Sequence, residues 1–142
     1  MTVRVRRASQ SQLSVVKALN TQVFPDNPMK ESTYASSVWW LAWDGNTPVG
    51  YAGLYTGTPG ETWLVRVGVV ETHRRLGLGW RLVSIRLRHW RQALAATRLR
   101  TYVADWNIGS HKNVIRAGLV PYKSYKGWVY YELSSAPLQA SR

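Results

Sequence analysis

The stretch Val69-Val70-Glu71-Thr72-His73-Arg74-Arg75-Leu76-Gly77-Leu78-Gly79-Trp80 decides how the rest of the chain is read. An apolar, β-rich run over residues 63–70 leads into it, and a long amphipathic pattern leaves it. The first N–H groups of a helix have no partner inside it, and the helix dipole adds partial positive charge there. Gly77 and Gly79 let the backbone approach a bulky anion, and Arg74 and Arg75 add charge. Strand, basic glycine turn and helix together make a cradle for a pyrophosphate. It is not the dinucleotide fingerprint, whose third glycine falls at Leu82, nor the triphosphate loop, which ends in Gly-Lys-Ser/Thr.

Composition bounds the remainder. A chain of 142 residues that is 45% apolar builds one core, so one domain is expected over residues 1–134, followed by a polar tail over 135–142. Cysteine is absent, which excludes disulfides and thiolate metal sites. His73, His89 and His111 show no metal-ligand spacing, so no metal is expected. The basic N-terminus has no apolar run behind it, and no 18-residue apolar stretch occurs, so the expectation is a cytoplasmic protein without a membrane span.

The charge is lopsided. Residues 74–126 hold twelve Lys and Arg against the single acid Asp105, a net +11 of the chain's +12; residues 1–73 hold six bases and five acids. A half that binds a pyrophosphate should be basic, but this excess is larger than one such ligand needs. It reads either as a solvated surface or as the footprint of a polyanion, nucleic acid first.

Along the chain, Thr2-Val3-Arg4-Val5-Arg6 alternates as a first strand. Ser9 or Ser11 caps a helix running to about Val23; residues 24–37 are the least regular part. Strands follow at 38–43, 49–55 and 62–70, the first two joined by an Asp44-Gly45 hairpin turn. The helix from about Gly77 to Ala96 carries Trp80, Val83, Leu87, Trp90 and Leu94 as a core stripe, with Arg81 and Arg88 opposite and Arg91 beside them. A fifth strand over 98–104, a helix capped by Asn107 or Ser110 and ended at Gly118, and a hairpin over 119–133 complete the order.

Arg74-Arg75-Leu76-Gly77-Leu78-Gly79 resembles the acetyl-CoA loop of the GNAT superfamily of N-acetyltransferases, Arg/Gln-x-x-Gly-x-Gly/Ala. Asn107-Ile108-Gly109-Ser110 and Arg116-Ala117-Gly118-Leu119 resemble its Asn-x-x-Ser and Lys-x-Gly-Phe segments, and the element order matches nearly throughout. The resemblance implies a single-domain α/β (α+β) fold. Its mixed, mostly antiparallel sheet has about seven strands, flanked by three to four helices, and splays between strands four and five.

The resemblance also implies an acetyl-CoA-dependent N-acetyltransferase. Backbone groups of Arg74, Arg75, Leu76, Gly77, Leu78, Gly79 and Trp80 would hold the pyrophosphate, and Val67 and Val69 would pair with the pantetheine arm. The Val69 N–H would bond the acetyl oxygen; Asn107 and Ser110 would touch the cofactor or simply cap their helix. The departures concern protons. Relatives carry a tyrosine acid where this chain has Val114, which leaves Tyr122, Tyr102, Ser110 or water. They also carry a glutamate base in the fourth strand, where this chain has no carboxylate; Glu61 and Asp105 are nearest by sequence.

Arg66, unusual inside a strand, either binds an anionic acceptor or pairs with Glu61 or Asp105. Without a strong base, either the acceptor has a low pKa, an α-amine at ~7.8 rather than a lysine at ~10.4, or the enzyme is slow and relies on positioning alone. Small-molecule, protein and nucleic-acid-linked amines all remain open as acceptors, as do a nucleic-acid-modifying transferase, a degenerate nucleic-acid-binding module and a homodimer. Trp39, Trp40 and Trp43 read as core packing or as a base-stacking platform, with Trp40 facing away from the other two.

Overall fold

The computed structural model describes residues 2–134, so the tail assigned to 135–142 lies outside the described residues. Seven strands form one sheet: β1 (Val3–Arg7), β2 (Ser37–Asp44), β3 (Thr47–Tyr55), β4 (Glu61–Val69), β5 (Arg98–Ala104), β6 (Val120–Tyr125) and β7 (Trp128–Leu133). Their spatial order is β1-β2-β3-β4-β5-β7-β6. Only the β4–β5 pair is parallel. Four α-helices accompany the sheet: α1 (Leu13–Val23), α2 (Glu31–Ala35), α3 (Leu78–Ala93) and α4 (Ile108–Arg116).

The alternation of side chains across the sheet sorts the core into two layers. Beneath α3 and α4, Trp40, Leu54, Leu64, Leu82, Leu87, Trp90, Leu99 and Tyr131 cluster. On the other face, Val16 and Leu19 of α1 and Tyr34 of α2 pack with Trp39, Leu41, Val49 and Tyr51. Trp39 and Trp40 therefore face opposite ways, each 4% exposed, and neither is free to stack on a base. The strand period of two predicts the opposition, and the helices on both faces explain why both indoles are inside.

Local chemistry explains the boundaries. Ser9 precedes a 3₁₀ turn at Gln10–Gln12, and Gln12 Oε1 accepts the Ser9 N–H at 3.0 Å, half of a reciprocal cap leading into α1. The irregular stretch after Val23 contains the single turn of α2. Helix α3 stops at Ala93, three residues before the expected Ala96, where Thr97 Oγ1 donates to Leu94 O at 2.6 Å. Gly118, at φ +99°, ends α4, and Leu119 N–H reaches back to Val114 O at 3.1 Å. That is the left-handed cap read from the sequence.

Candidate active site

The site begins where two strands part. β4 and β5 pair at only three positions, Glu61↔Arg98, Thr62↔Leu99 and Trp63↔Arg100. The next link is a side chain, Thr101 Oγ1 donating to Leu64 O at 3.0 Å, and beyond it the strands separate. The cause lies in β4. Its pairing with β3 runs from Ala52↔Val67 to Gly53↔Val65, which leaves Arg66 as an extra residue at φ +24°. A bulge of this kind bends its strand and raises the local twist.

Two arginines hold the bulge. Arg66 donates to Asn20 Oδ1 at 3.2 Å and to Asn27 O at 2.9 Å, with its guanidinium 4.8 Å from the Phe24 ring centre. It thus ties β4 to α1 and the following loop, and pairs with neither Glu61 nor Asp105. On the other face, Arg86 of α3, 2% exposed, donates from Nη1 to Gly53 O at 2.9 Å and Val65 O at 3.3 Å, and from Nε to Leu82 O at 3.0 Å. The Gly53 and Val65 carbonyls belong to the pair beside the bulge. Burial lowers the pKa of Arg86, while the three carbonyls favour its charged form. Of the twelve bases in residues 74–126, Arg86 is thus a core residue and adds nothing to the basic surface.

The parting exposes backbone. Val70 N–H donates to Val49 O at 2.9 Å, toward β3. Alternation then turns the backbone groups of Gly68 the same way, and those of Val67 and Val69 toward β5, past the point where β5 pairs. The basic glycine turn follows at once. Arg74 Nε donates to Val69 O at 2.9 Å, locking the turn against the end of β4. Arg75 and Gly77 both adopt left-handed backbone, φ +65° and +79°. The first backbone bond into α3 is Arg81 N–H to Gly77 O, 3.1 Å, so the N–H groups ahead of it are open to an anion.

The fit to a CoA pyrophosphate rests on this shape. A Cβ at Gly79 would lie 3.2 Å from Asn113 Nδ2, so the cradle is walled by α4 and a side chain would fill it. Arg116 closes the same side, its guanidinium 4.0 Å from the Trp80 ring centre. Sequence reading did not single out Asn113 or place Arg116 here, because only the packing of α4 on α3 brings them to the turn.

The proposed acids and bases separate. Glu61 sits at the start of β4, eight residues from Val69, or about 26 Å along the strand. Both its carboxylate oxygens are engaged, by Arg100 Nη1 at 2.7 Å and Trp63 Nε1 at 3.1 Å. Tyr122 is on the edge strand β6, three strand spacings (about 14 Å) from β4. Burial pushes its phenol up, with Arg100 opposing. Asp105 is different. The register Glu61↔Arg98 carries it about level with Val69, across the gap. Its N–H donates to Gly127 O at 2.9 Å, tying the end of β5 to the β6–β7 turn. Asn107 Oδ1 accepts Ser110 N–H at 3.2 Å, so Asn107 caps α4. Val114 is buried. Below α4, His111 Nδ1 lies 2.7 Å from Tyr131 Oη and Nε2 lies 2.9 Å from Ala104 O.

Among the described residues no group of His, Asp and Glu could hold a metal ion, and no helix is long and apolar enough to cross a membrane.

Known proteins match this arrangement. Naa50 of Arabidopsis thaliana, in complex with the bisubstrate analogue CoA-Ac-MVNAL, superposes with a TM-score of 0.78 at 18% identity, covering 94% of this chain and 99% of that one. The ribosomal-protein-S18-alanine N-acetyltransferase of Escherichia coli gives 0.75 at 14% identity, covering 93% of each chain. NAA60 of Arabidopsis thaliana in complex with acetyl-CoA gives 0.74 at 16%, covering 94% and 99%. At these identities the likeness is one of fold. No curated protein matches the chain. The model of the acetyltransferase (GNAT) family matches residues 10–115, and on that match, over more than half its length, the protein belongs to the GNAT family of acetyl-CoA-dependent N-acetyltransferases.

Proposed function

We propose that this N-acetyltransferase acts on an amine of low pKa, and that Asp105 is the acid-base group nearest the reaction. The observation that carries the reading is the open backbone of Val67 and Val69 running straight into the left-handed turn at Arg75 and Gly77. The cradle over residues 74–80, with Asn113 and Arg116, would hold the pyrophosphate. Val67 and Val69 would align the pantetheine arm, with the Val69 N–H directed at the acyl oxygen as a preorganised dipole. Ser110, in the first turn of α4, would touch the cofactor from that helix.

Acetyl-CoA supplies an acetyl group on a sulfur that leaves readily. The amine nitrogen forms the amide bond as the C–S bond breaks; one amine proton passes to Asp105 or water, and the sulfur takes one in return. Glu61 is committed to Arg100 and lies too far along β4 to share this work. A single exposed carboxylate suits an α-amine near ~7.8 better than a lysine near ~10.4, because less help is needed to reach the neutral nucleophile.

Acetyl-CoA should raise the melting temperature, since a ligand of the native state stabilises by mass action. Turnover should then be screened over aminoacyl esters, peptide α-amines and lysine side chains. No shift at millimolar acetyl-CoA would overturn the assignment of the cradle. Faster turnover of lysine than of α-amines would overturn the assignment of the acceptor.

A further inference from the structure

Among the described residues, the face of the sheet that carries α1 and α2 is covered over its first half, where α1 packs on β2, β3 and β4. On β4, β5, β7 and β6 the same face carries aromatic rings. Trp63 meets Tyr102 at 6.2 Å between centroids, Tyr102 meets Trp128 at 5.1 Å and Tyr130 at 5.6 Å, and Tyr130 meets Tyr122 at 6.2 Å. Five rings in one connected ladder would belong to a core if anything covered them. Yet Tyr102 is 53% exposed, Trp128 43% and Tyr122 38%. Contiguous exposed rings on a monomer mark a binding surface.

Cations already sit on this ladder and beside it. Lys123 Nζ is 4.5 Å from the Tyr130 centroid, Arg100 is 5.1 Å from that of Tyr122, and Lys126 is 5.3 Å from that of Tyr125. Arg100 is paired with Glu61 and Glu132, so the cations left to compete with and repel a cationic ligand are Lys123 and Lys126. The complement of open π faces beside fixed cations is a planar, stackable, negatively charged ligand. We propose that the ladder is a docking surface for an unpaired strand of nucleic acid, whose bases stack on Tyr102 and Trp128 while Lys123 and Lys126 meet its phosphates.

Position connects the surface to the chemistry. The two-residue turn Lys126-Gly127, both left-handed at φ +47° and +84°, sets Tyr125 opposite Trp128. Gly127 O accepts the Asp105 N–H, so the tip of the ladder is fixed to the end of β5, level with Val69. A strand lying on the rings would present an amine it carries at the mouth of the gap. This deepens the reading above, because it names the class of acceptor. The cations of α3, Arg81, Arg88 and Arg91, lie on the opposite side of the sheet and play no part.

The test is fluorescence anisotropy of the full chain with a labelled ten-nucleotide oligo(A), at several salt concentrations. A duplex of the same length and polyglutamate are the comparison probes, and each sample is also melted with acetyl-CoA. The single strand should bind, and log Kd should change with log salt by about 0.7 per phosphate contacted. Tyr102→Leu with Trp128→Leu keeps apolar area but removes the rings, and should weaken binding by about five-fold or more per ring. Arg81, Arg88 and Arg91 changed to Gln should leave it intact. Equal binding of polyglutamate or duplex, or an unchanged Leu variant, would overturn the proposal. So would a dimer in sedimentation that the Leu variant dissolves, which would mean that a second copy covers the rings. An acetyl-CoA shift without oligonucleotide binding would reject the docking surface and leave the transferase reading standing.

Discussion

Tyr131 donates its O–H to His111 Nδ1, because Nε2 of the same ring faces the carbonyl of Ala104 at 2.9 Å and must carry the ring proton. A carbonyl can only accept, so the tautomer follows. Through this pair the first turn of α4 is fastened to β7 and to the end of β5. Tyr131 is 4% exposed, and Tyr131→Phe would leave Nδ1 without a donor. The expected cost is about 1–3 kcal/mol in chemical denaturation. An unchanged midpoint would mean that solvent replaces the phenol.

The cradle is tested most cleanly at Gly77. Its φ of +79° with open space around the Cβ position separates backbone strain from clash. Gly77→Val should destabilise by about 1 kcal/mol or more and abolish the acetyl-CoA melting shift. Gly45→Ala, at φ +60° and also in open space, is the matched control: it should cost comparable stability and keep the shift. Loss of the shift in both would point to general instability.

Arg86 should be intolerant of lysine. Its two-pronged donor reaches Gly53 O, Val65 O and Leu82 O at once, a geometry an ammonium does not reproduce. Both Arg86→Lys and Arg86→Met should lose about 2–4 kcal/mol, since buried carbonyls at the bulge lose their donor. A Met variant as stable as the parent would show that the bulge holds without it.

If Asp105 takes the amine proton, Asp105→Asn should lower kcat by about 10²-fold or more with acetyl-CoA binding kept. Glu61→Gln should instead lower stability through Arg100 and leave kcat within a few-fold. The reverse pattern would exchange their roles.

Acid should destabilise the fold through His89. Burial and then the charge of Arg7 hold its pKa below the usual 6.5. The unfolded chain therefore binds the proton first, so stability falls as pH drops below about 6.5 toward the folded value. The melting temperature at pH 5.5 against 7.5 reads this, and His89→Gln should flatten the difference. A slope that the variant keeps belongs to other groups.

The glycine turn that opens α3, the α3 stripe at Val83, Leu87 and Trp90 and the Gly118 cap are legible because each depends on residues close in sequence. Arg86 is not. Its position on α3 looks like one more surface base until the bulge in β4 supplies carbonyls from residues 21 and 33 positions away. Arg66 was noticed as odd, but its partners Asn20 and Asn27 are 46 and 39 residues distant, beyond any local pattern. The ring ladder escaped for the same reason: Trp63, Tyr102, Tyr122 and Trp128 meet only once β4, β5, β7 and β6 lie side by side. The tryptophans that do adjoin in sequence, Trp39 and Trp40, proved to be core.

The hydroxyl of Thr101 stands where the next backbone rung between β4 and β5 would form. It works as the last tooth of a zipper: the teeth below it are closed, and above it the bulge at Arg66 keeps the strands from meeting. Closing them would satisfy more backbone and make a sturdier sheet. Selection for thermostability alone should therefore favour changes that straighten the bulge at Arg66 and let the strands zip together, and the hardiest clones should be the ones that no longer transfer acetyl groups.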